Sequence, residues 1–147
     1  MKDWFKGNIV VNTSLSIIKE AFENHDNHFQ KAVLSMPGMT KAEVLESGTD
    51  YVTIRTNEGL MKRTKIKKTS EENELLVEFE ENYDGGKVVE VTSQYIFKFT
   101  SLNDQVNVEC TIRLLKTKGF LGFIYKKLSS KSIGKATLNS YKKVFSN

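Results

Sequence analysis

The stretch that decides the fold is "VEVTSQYIFKF", residues 89–99. Its odd positions are Val89, Val91, Ser93, Tyr95, Phe97 and Phe99, and five of these six are apolar. Its even positions from 90 to 100 are Glu90, Thr92, Gln94, Ile96, Lys98 and Thr100, of which only Ile96 is apolar. A period of two with one greasy side predicts a strand in a sheet that is buried on one face and wet on the other. The next segment repeats the pattern: Val106, Val108, Cys110, Ile112 and Leu114 share a face, and Asn107, Glu109, Thr111 and Arg113 take the other.

Reading back toward the N-terminus, the same period runs through "AEVLES", "YVTIRT", "LMKRTKIKKT" and "ELLVEFEEN". Six successive strands are expected from residue 42 onward. They are separated by "GTD", "NEG", "SEEN", "YDGG" and "LND", clusters of turn-forming residues. Connections this short join antiparallel neighbours, because a parallel crossover needs a dozen or more residues. Thirteen extended residues span roughly 44 Å at about 3.4 Å each, which predicts a sheet long enough to curl. Further back, "NIVVNT" (8–13) predicts a first strand, and Thr13 or Ser14 is placed to cap a helix over "LSIIKEAF". In that helix Leu15, Ile18 and Phe22 share a face. "ENHDNHFQKAV" predicts a second short helix carrying Phe29 and Val33, with Asp26 or Asn27 as its cap, ended by "SMPGM".

Reading forward, residues 119–147, "GFLGFIYKKLSSKSIGKATLNSYKKVFSN", contain no acidic residue. At helical spacing Phe120, Phe123, Ile124 and Leu128 form an apolar stripe that Leu138, Tyr141 and Phe145 continue. Lys126, Lys135 and Lys142 point largely elsewhere, and Gly134 is placed for a bend or a close approach. Burying each large apolar side chain is worth roughly 1.5–3 kcal/mol. A curled sheet with an aromatic inner face has the complementary need, so the helix is expected to lie across the concave face.

The bulk figures agree. At 147 residues, 39% hydrophobic and 27% charged, the chain suits one globular domain spanning 1–147. Cys110 is the only cysteine, so an intrachain disulfide is excluded. No run approaches the roughly 20 apolar residues of a membrane-spanning helix, and the N-terminus lacks a signal-like apolar run. A cytoplasmic location is expected. The net charge of +4 is unevenly placed: residues 110–147 hold Arg113 and eight lysines with no Asp or Glu, while residues 1–109 hold 13 basic and 18 acidic residues. A lysine-rich helix face of this kind suits an acidic partner surface.

Order and pattern together resemble the SRPBCC superfamily, also called START-like or helix-grip, over essentially the whole chain. Its members include polyketide cyclases, birch-pollen-type allergens and lipid-transfer domains. The pieces that carry the resemblance are "NIVVNTSLSIIKEAF" and the Gly-aromatic-basic entry "GFLGFIYKKLSSKSIGKATLNSYKKVF" after the last strand. One departure is the second helix, where members often carry Trp and Pro and this chain has "NHFQKAV". The resemblance implies an α+β fold of β-α-α-β6-α order, in which a curved antiparallel sheet wraps a long C-terminal helix. It also implies a cavity between them for a small hydrophobic or amphipathic ligand such as a lipid, quinone or polyketide. The walls expected for that cavity are Phe22 and Phe29 from the helices, Ile54, Val77 and Phe79 from the middle strands, and Val91, Ser93, Tyr95 and Phe97 from the aromatic strand. Val108, Cys110 and Ile112 of the last strand complete them, with Phe120, Phe123, Ile124 and Leu128 above. Binding or carriage of such a ligand is the expected function, and a cyclase-like enzyme or a ribosome-docking module are the alternatives.

For an enzyme the candidate groups are Tyr95, Glu81 and Arg63. The facing of the Arg63 strand is left open by its pattern, and in cyclase-like relatives an inward Arg polarises a carbonyl. "KRTKIKK" (62–68) faces "EENELLVEFEE" across a turn, which favours cross-strand charge pairing over a nucleic-acid patch, and no DNA partner is expected. "HDNH" places His25 and His28 three apart, but the third and fourth ligands of a metal site are missing from the sequence pattern. Neither a metal nor a cofactor is expected.

Overall fold

A computed structural model of the chain describes residues 3–85, 90–119 and 130–145. Seven strands form one antiparallel sheet: β1 (Phe5–Val11), β2 (Ala42–Ser47), β3 (Val52–Thr56), β4 (Leu60–Ser70), β5 (Glu74–Asp84), β6 (Glu90–Leu102) and β7 (Gln105–Lys118). Helices α1 (Leu15–Glu23) and α2 (His25–Leu34) separate β1 from β2, and α3 (Ser130–Phe145) follows β7. The spatial order is β1-β7-β6-β5-β4-β3-β2. Six strands thus pair with their sequence neighbours through hairpins, and β1 returns to the edge beside β7.

The alternation in the sequence becomes the facing of the sheet. Leu75, Val77, Phe79 and Glu81 of β5, Val91 to Phe99 of β6 and Val106 to Ile112 of β7 are buried at every second position. In register they form transverse rows, among them Leu75–Phe99–Val108, Val77–Phe97–Cys110 and Phe79–Tyr95–Ile112. Leu138, Tyr141 and Phe145 of α3 are buried against this face, whereas Lys135 and Lys142 are exposed. Phe120, Phe123, Ile124 and Leu128, the first half of the expected stripe, lie outside the described residues.

Three local features refine the sequence reading. The first strand runs from Phe5 to Val11 rather than 8–13, because β7 offers partners from Ile112 down to Val106. Ser14 is the cap of α1, its hydroxyl accepting from the Ile17 amide at 3.4 Å. Asp26 and Asn27 do not cap α2: the helix starts at His25, Asn24 takes the cap position without a side-chain bond, and Asp26 accepts from the Ser47 hydroxyl instead.

Gly134 makes the close approach that its position in α3 suggested. A Cβ there would lie 2.3 Å from the ring of Phe5, far inside contact distance. The bare backbone lets α3 settle directly onto β1.

A bulge in β4 shapes the site. Thr64 pairs with Glu80 and Lys67 with Glu78, so Lys65 and Ile66 together oppose Phe79. An extra residue of this kind bends its strand and increases the local twist. It also shifts the parity, so that Met61 and Arg63 point inward before the bulge and Ile66 after it. Lys65 takes the strained position, with φ of 55°. Its ammonium lies 2.7 Å from Glu80, and Lys67 stands opposite Glu78, so the basic strand meets the acidic one as charge pairing requires.

Candidate functional site

Beneath the first turns of α3 lies a cavity of about 400 Å³. Its floor is the end of the concave face where β4, β5 and β6 meet: Met61, Arg63, Glu81, Tyr83, Val91 and Tyr95. Ser132, Ile133, Ala136 and Thr137 of α3 cover it, and Met36, Pro37 and Met39 from the segment after α2, with Glu58 from the β3–β4 turn, close its sides.

Arg63 and Glu81 are directly opposite in the β4–β5 register. Nε and Nη2 of Arg63 both lie 3.0 Å from Oε1 of Glu81, and each residue is only 6% exposed. The guanidinium carbon sits 4.6 Å from the Phe29 ring centroid, 4.7 Å from that of Phe79 and 6.0 Å from that of Tyr95. A cation over aromatic faces is attracted by their quadrupoles, most strongly where water is excluded. Arg63 is therefore held from two sides, by a carboxylate and by rings, which fixes the orientation of the pair at the cavity wall. Ser93, the next residue in that transverse row, is 3% exposed beside Glu81. Burial raises the Tyr83 hydroxyl above its usual pKa; a hydrogen bond with Thr56 opposes this, and the Glu58 and Glu81 carboxylates add to it.

The expected wall residues divide. Val91 and Tyr95 line the cavity, and so do Arg63 and Glu81. Phe22, Phe29, Ile54, Val77, Phe79, Phe97, Val108, Cys110 and Ile112 lie in the solid core, each at 2% exposure or less, and the described wall of the cavity does not include them. The reason is the size of the side chains that α3 lays over each region. Its C-terminal half presses Tyr141 onto Phe97 and Phe99, with ring centroids 4.9 and 5.8 Å apart, and fills that end of the groove. Residues that pattern reasoning passed over, Met61 and Tyr83 among them, share the inward parity of Arg63 and Glu81, and that parity was the available signal.

The two histidines belong to the packed end. His25 Nε2 lies 2.9 Å from the Gly48 carbonyl and its Nδ1 3.2 Å from the Lys68 ammonium. The ammonium can only donate, so Nδ1 accepts and Nε2 carries the proton. Lys68 also donates to the Phe22 carbonyl at 2.7 Å, tying the end of α1 to the sheet, and burial lowers its pKa. His28 sits among Phe22, Phe29, Tyr141 and Phe145, with Nε2 3.3 Å from the Tyr141 hydroxyl and Nδ1 without a partner. Burial, reinforced by Arg63, Lys31 and His25, holds its pKa down to about 3, so the ring is neutral. Burial pushes the Cys110 thiol and the Tyr141 hydroxyl well above their ordinary values, which leaves the cysteine a poor nucleophile. No helix among the described residues is long and apolar enough to cross a membrane.

No protein-family model matches the chain, and no curated protein matches it. Solved structures do. A conserved protein from Geobacillus kaustophilus superposes with a TM-score of 0.63 at 14% identity, over 95% of this chain and 93% of that one. A STAR-related lipid transfer protein from Xanthomonas axonopodis gives 0.55 at 11% identity, over 95% and 82%. The Zhui aromatase/cyclase from Streptomyces sp. R1128 gives 0.51 at 10% identity, over 95% and 90%. Similarity at this level of identity speaks to architecture alone. With its curved seven-stranded antiparallel sheet gripping a C-terminal helix, the chain has a helix-grip fold like that of these solved structures.

Proposed function

We infer that the protein binds a small amphipathic molecule in the cavity between the sheet and α3. The observation that carries this reading is the composition of the cavity wall: methionines, Val91, Ile133 and Ala136 provide apolar surface, while one buried ion pair supplies fixed polar atoms. A cavity of about 400 Å³ is within the usual range for small-molecule sites, which are mostly apolar with a few placed polar groups. Arg63 directs Nε and Nη2 at a single carboxylate oxygen, so the pair presents a fixed acceptor and a fixed donor at the cavity wall. Such a couple suits a hydroxyl, carbonyl or amide on an otherwise apolar guest. Lipid-transfer and aromatase/cyclase proteins among the similar structures are in keeping with guests of this class.

Native mass spectrometry of the chain with medium-chain alcohols, quinones and polyketide-like phenols tests the reading. Retained guests are expected, and Ala136→Phe, which fills the space beneath α3, is expected to expel them. Retention unchanged by that substitution overturns it.

One observation favours a catalytic version: Arg63, Glu81 and Tyr95 converge on the same wall. A general acid or base must reach the reacting proton at hydrogen-bond distance. Turnover of a poly-β-keto substrate that is lost in Tyr95→Phe is the result this version requires.

A further inference from the structure

A second cavity, of about 350 Å³, lies on the outer side of α3 and is lined by Ser35, Pro37, Ala136, Asn139, Lys142 and Lys143. It shares Pro37 and Ala136 with the inner cavity, so the two spaces adjoin across these residues. We propose that the guest is an amphiphile with an anionic head, whose head rests on Lys142 and Lys143 in this outer space while its apolar part passes Pro37 and Ala136 into the inner cavity. The proposal rests on the ligand-binding reading above and adds the head group and its orientation.

Charge decides the orientation. The inner wall has one guanidinium, already neutralised by Glu81, and a further carboxylate in Glu58. An anion placed there meets an excess of negative charge in a poorly solvated space, where repulsion is strongest. The outer space has the opposite balance: two ammonium groups and the Asn139 amide, with no carboxylate among its described lining residues. The last turns of α2 and α3 bring the negative ends of their helix dipoles nearby, about half an elementary charge each. Two full positive charges outweigh them. Lys143 is positioned by donation to the Ser35 carbonyl at 3.2 Å, which leaves two of its three protons for a guest. Ala136 is the small residue at the division, where a larger side chain would separate head site from tail site. Phosphate, sulfate and carboxylate heads share the required chemistry.

The test compares octyl phosphate, octanol and inorganic phosphate by calorimetry on the intact chain, at low salt and below the micelle concentrations. Octyl phosphate is expected to bind roughly tenfold more tightly than octanol, in line with two partly exposed charge contacts. The preference is expected to shrink with added salt and to fall to about one in the Lys142→Gln/Lys143→Gln variant. Inorganic phosphate is expected to show no binding at concentrations where octyl phosphate saturates. Octanol binding with no preference for the phosphate, or a preference that survives the double substitution, overturns the head site alone. Inorganic phosphate binding as tightly as octyl phosphate does the same, because the outer space then holds an adventitious ion only. Failure of both octyl compounds to bind overturns the ligand-binding reading itself.

Discussion

At one end of the concave face, the rows Leu75–Phe99–Val108 and Val77–Phe97–Cys110 are packed by Phe22 and Tyr141, with Phe145 stacked on Tyr141, and none of these residues lines either described cavity. At the other end, four positions further along β5, the pair Arg63–Glu81 and the neighbouring row Met61–Tyr83–Val91 lie under the small and short side chains of α3 and border the cavity. Strands β5 and β6 run through both ends, joined by β7 at the packed one and by β4 at the open one. What differs is the side chain above, an aromatic at the packed end and Ala136 or Thr137 at the open one, and the charge below. The packed end stabilises the fold through area and fit. The open end gives up that area and keeps a polar couple that an apolar core would exclude unless paired.

Four substitutions test this contrast, beginning with the largest effect. Phe97→Ala at the packed end is expected to destabilise by about 3–5 kcal/mol in chemical denaturation, the usual cost of deleting a buried phenyl ring. A loss under about 1 kcal/mol would mean that this end is not close-packed. At the open end, Glu81→Leu strands a buried guanidinium and is expected to cost about 3 kcal/mol, whereas Arg63→Met/Glu81→Leu together return to near the parent stability. If the double variant is as unstable as the single, the pair stabilises the fold rather than serving the cavity.

The third test uses pH. His28 has a folded pKa of about 3, below its ordinary 6.5, so the unfolded chain takes up a proton that the folded chain refuses between these limits. The stabilisation from the neutral ring is complete above about pH 6.5 and is lost as pH falls toward 3, with a slope of up to about 1.4 kcal/mol per pH unit. His28→Gln keeps a partner for Tyr141 and does not titrate, so it is expected to flatten unfolding free energy against pH in that window. A profile identical to the parent would place the titration elsewhere. The smallest effect is expected from Lys65→Gly, which relieves a positive φ at an exposed position and is predicted to raise the melting temperature by a few degrees at most. A fall would show that the Lys65–Glu80 contact outweighs the strain.

Much of the packed end is legible in the sequence because it depends on parity. Alternation over residues 89–114 assigns Phe97, Phe99, Val108 and Cys110 to the inner face without reference to anything distant. The open end is less legible. Whether an inward residue lines a space or a solid core depends on which rows α3 covers, and on the size of Ala136 and Thr137 relative to Tyr141, a fact about two elements far apart in the chain. Arg63 is harder still, since a bulge leaves no mark on a pattern that already contains lysines on both parities. The second helix illustrates the same limit on a smaller scale: Asp26 has the right chemistry for a cap, but the tight passage from α1 through Asn24 starts the helix one residue before it.

The extra residue in β4 has one more consequence. Arg63 and Lys68 both serve the concave side, one at the cavity and one at the end of α1, yet they stand an odd number of positions apart. A chain lacking residue 65 would bring them to an even spacing on an unbroken ladder, and Ile66 with them, so each would keep its direction while the kink straightened. The bend of β4 and the set of side chains it turns inward are thus separable, and loss of one codon would change the first without the second.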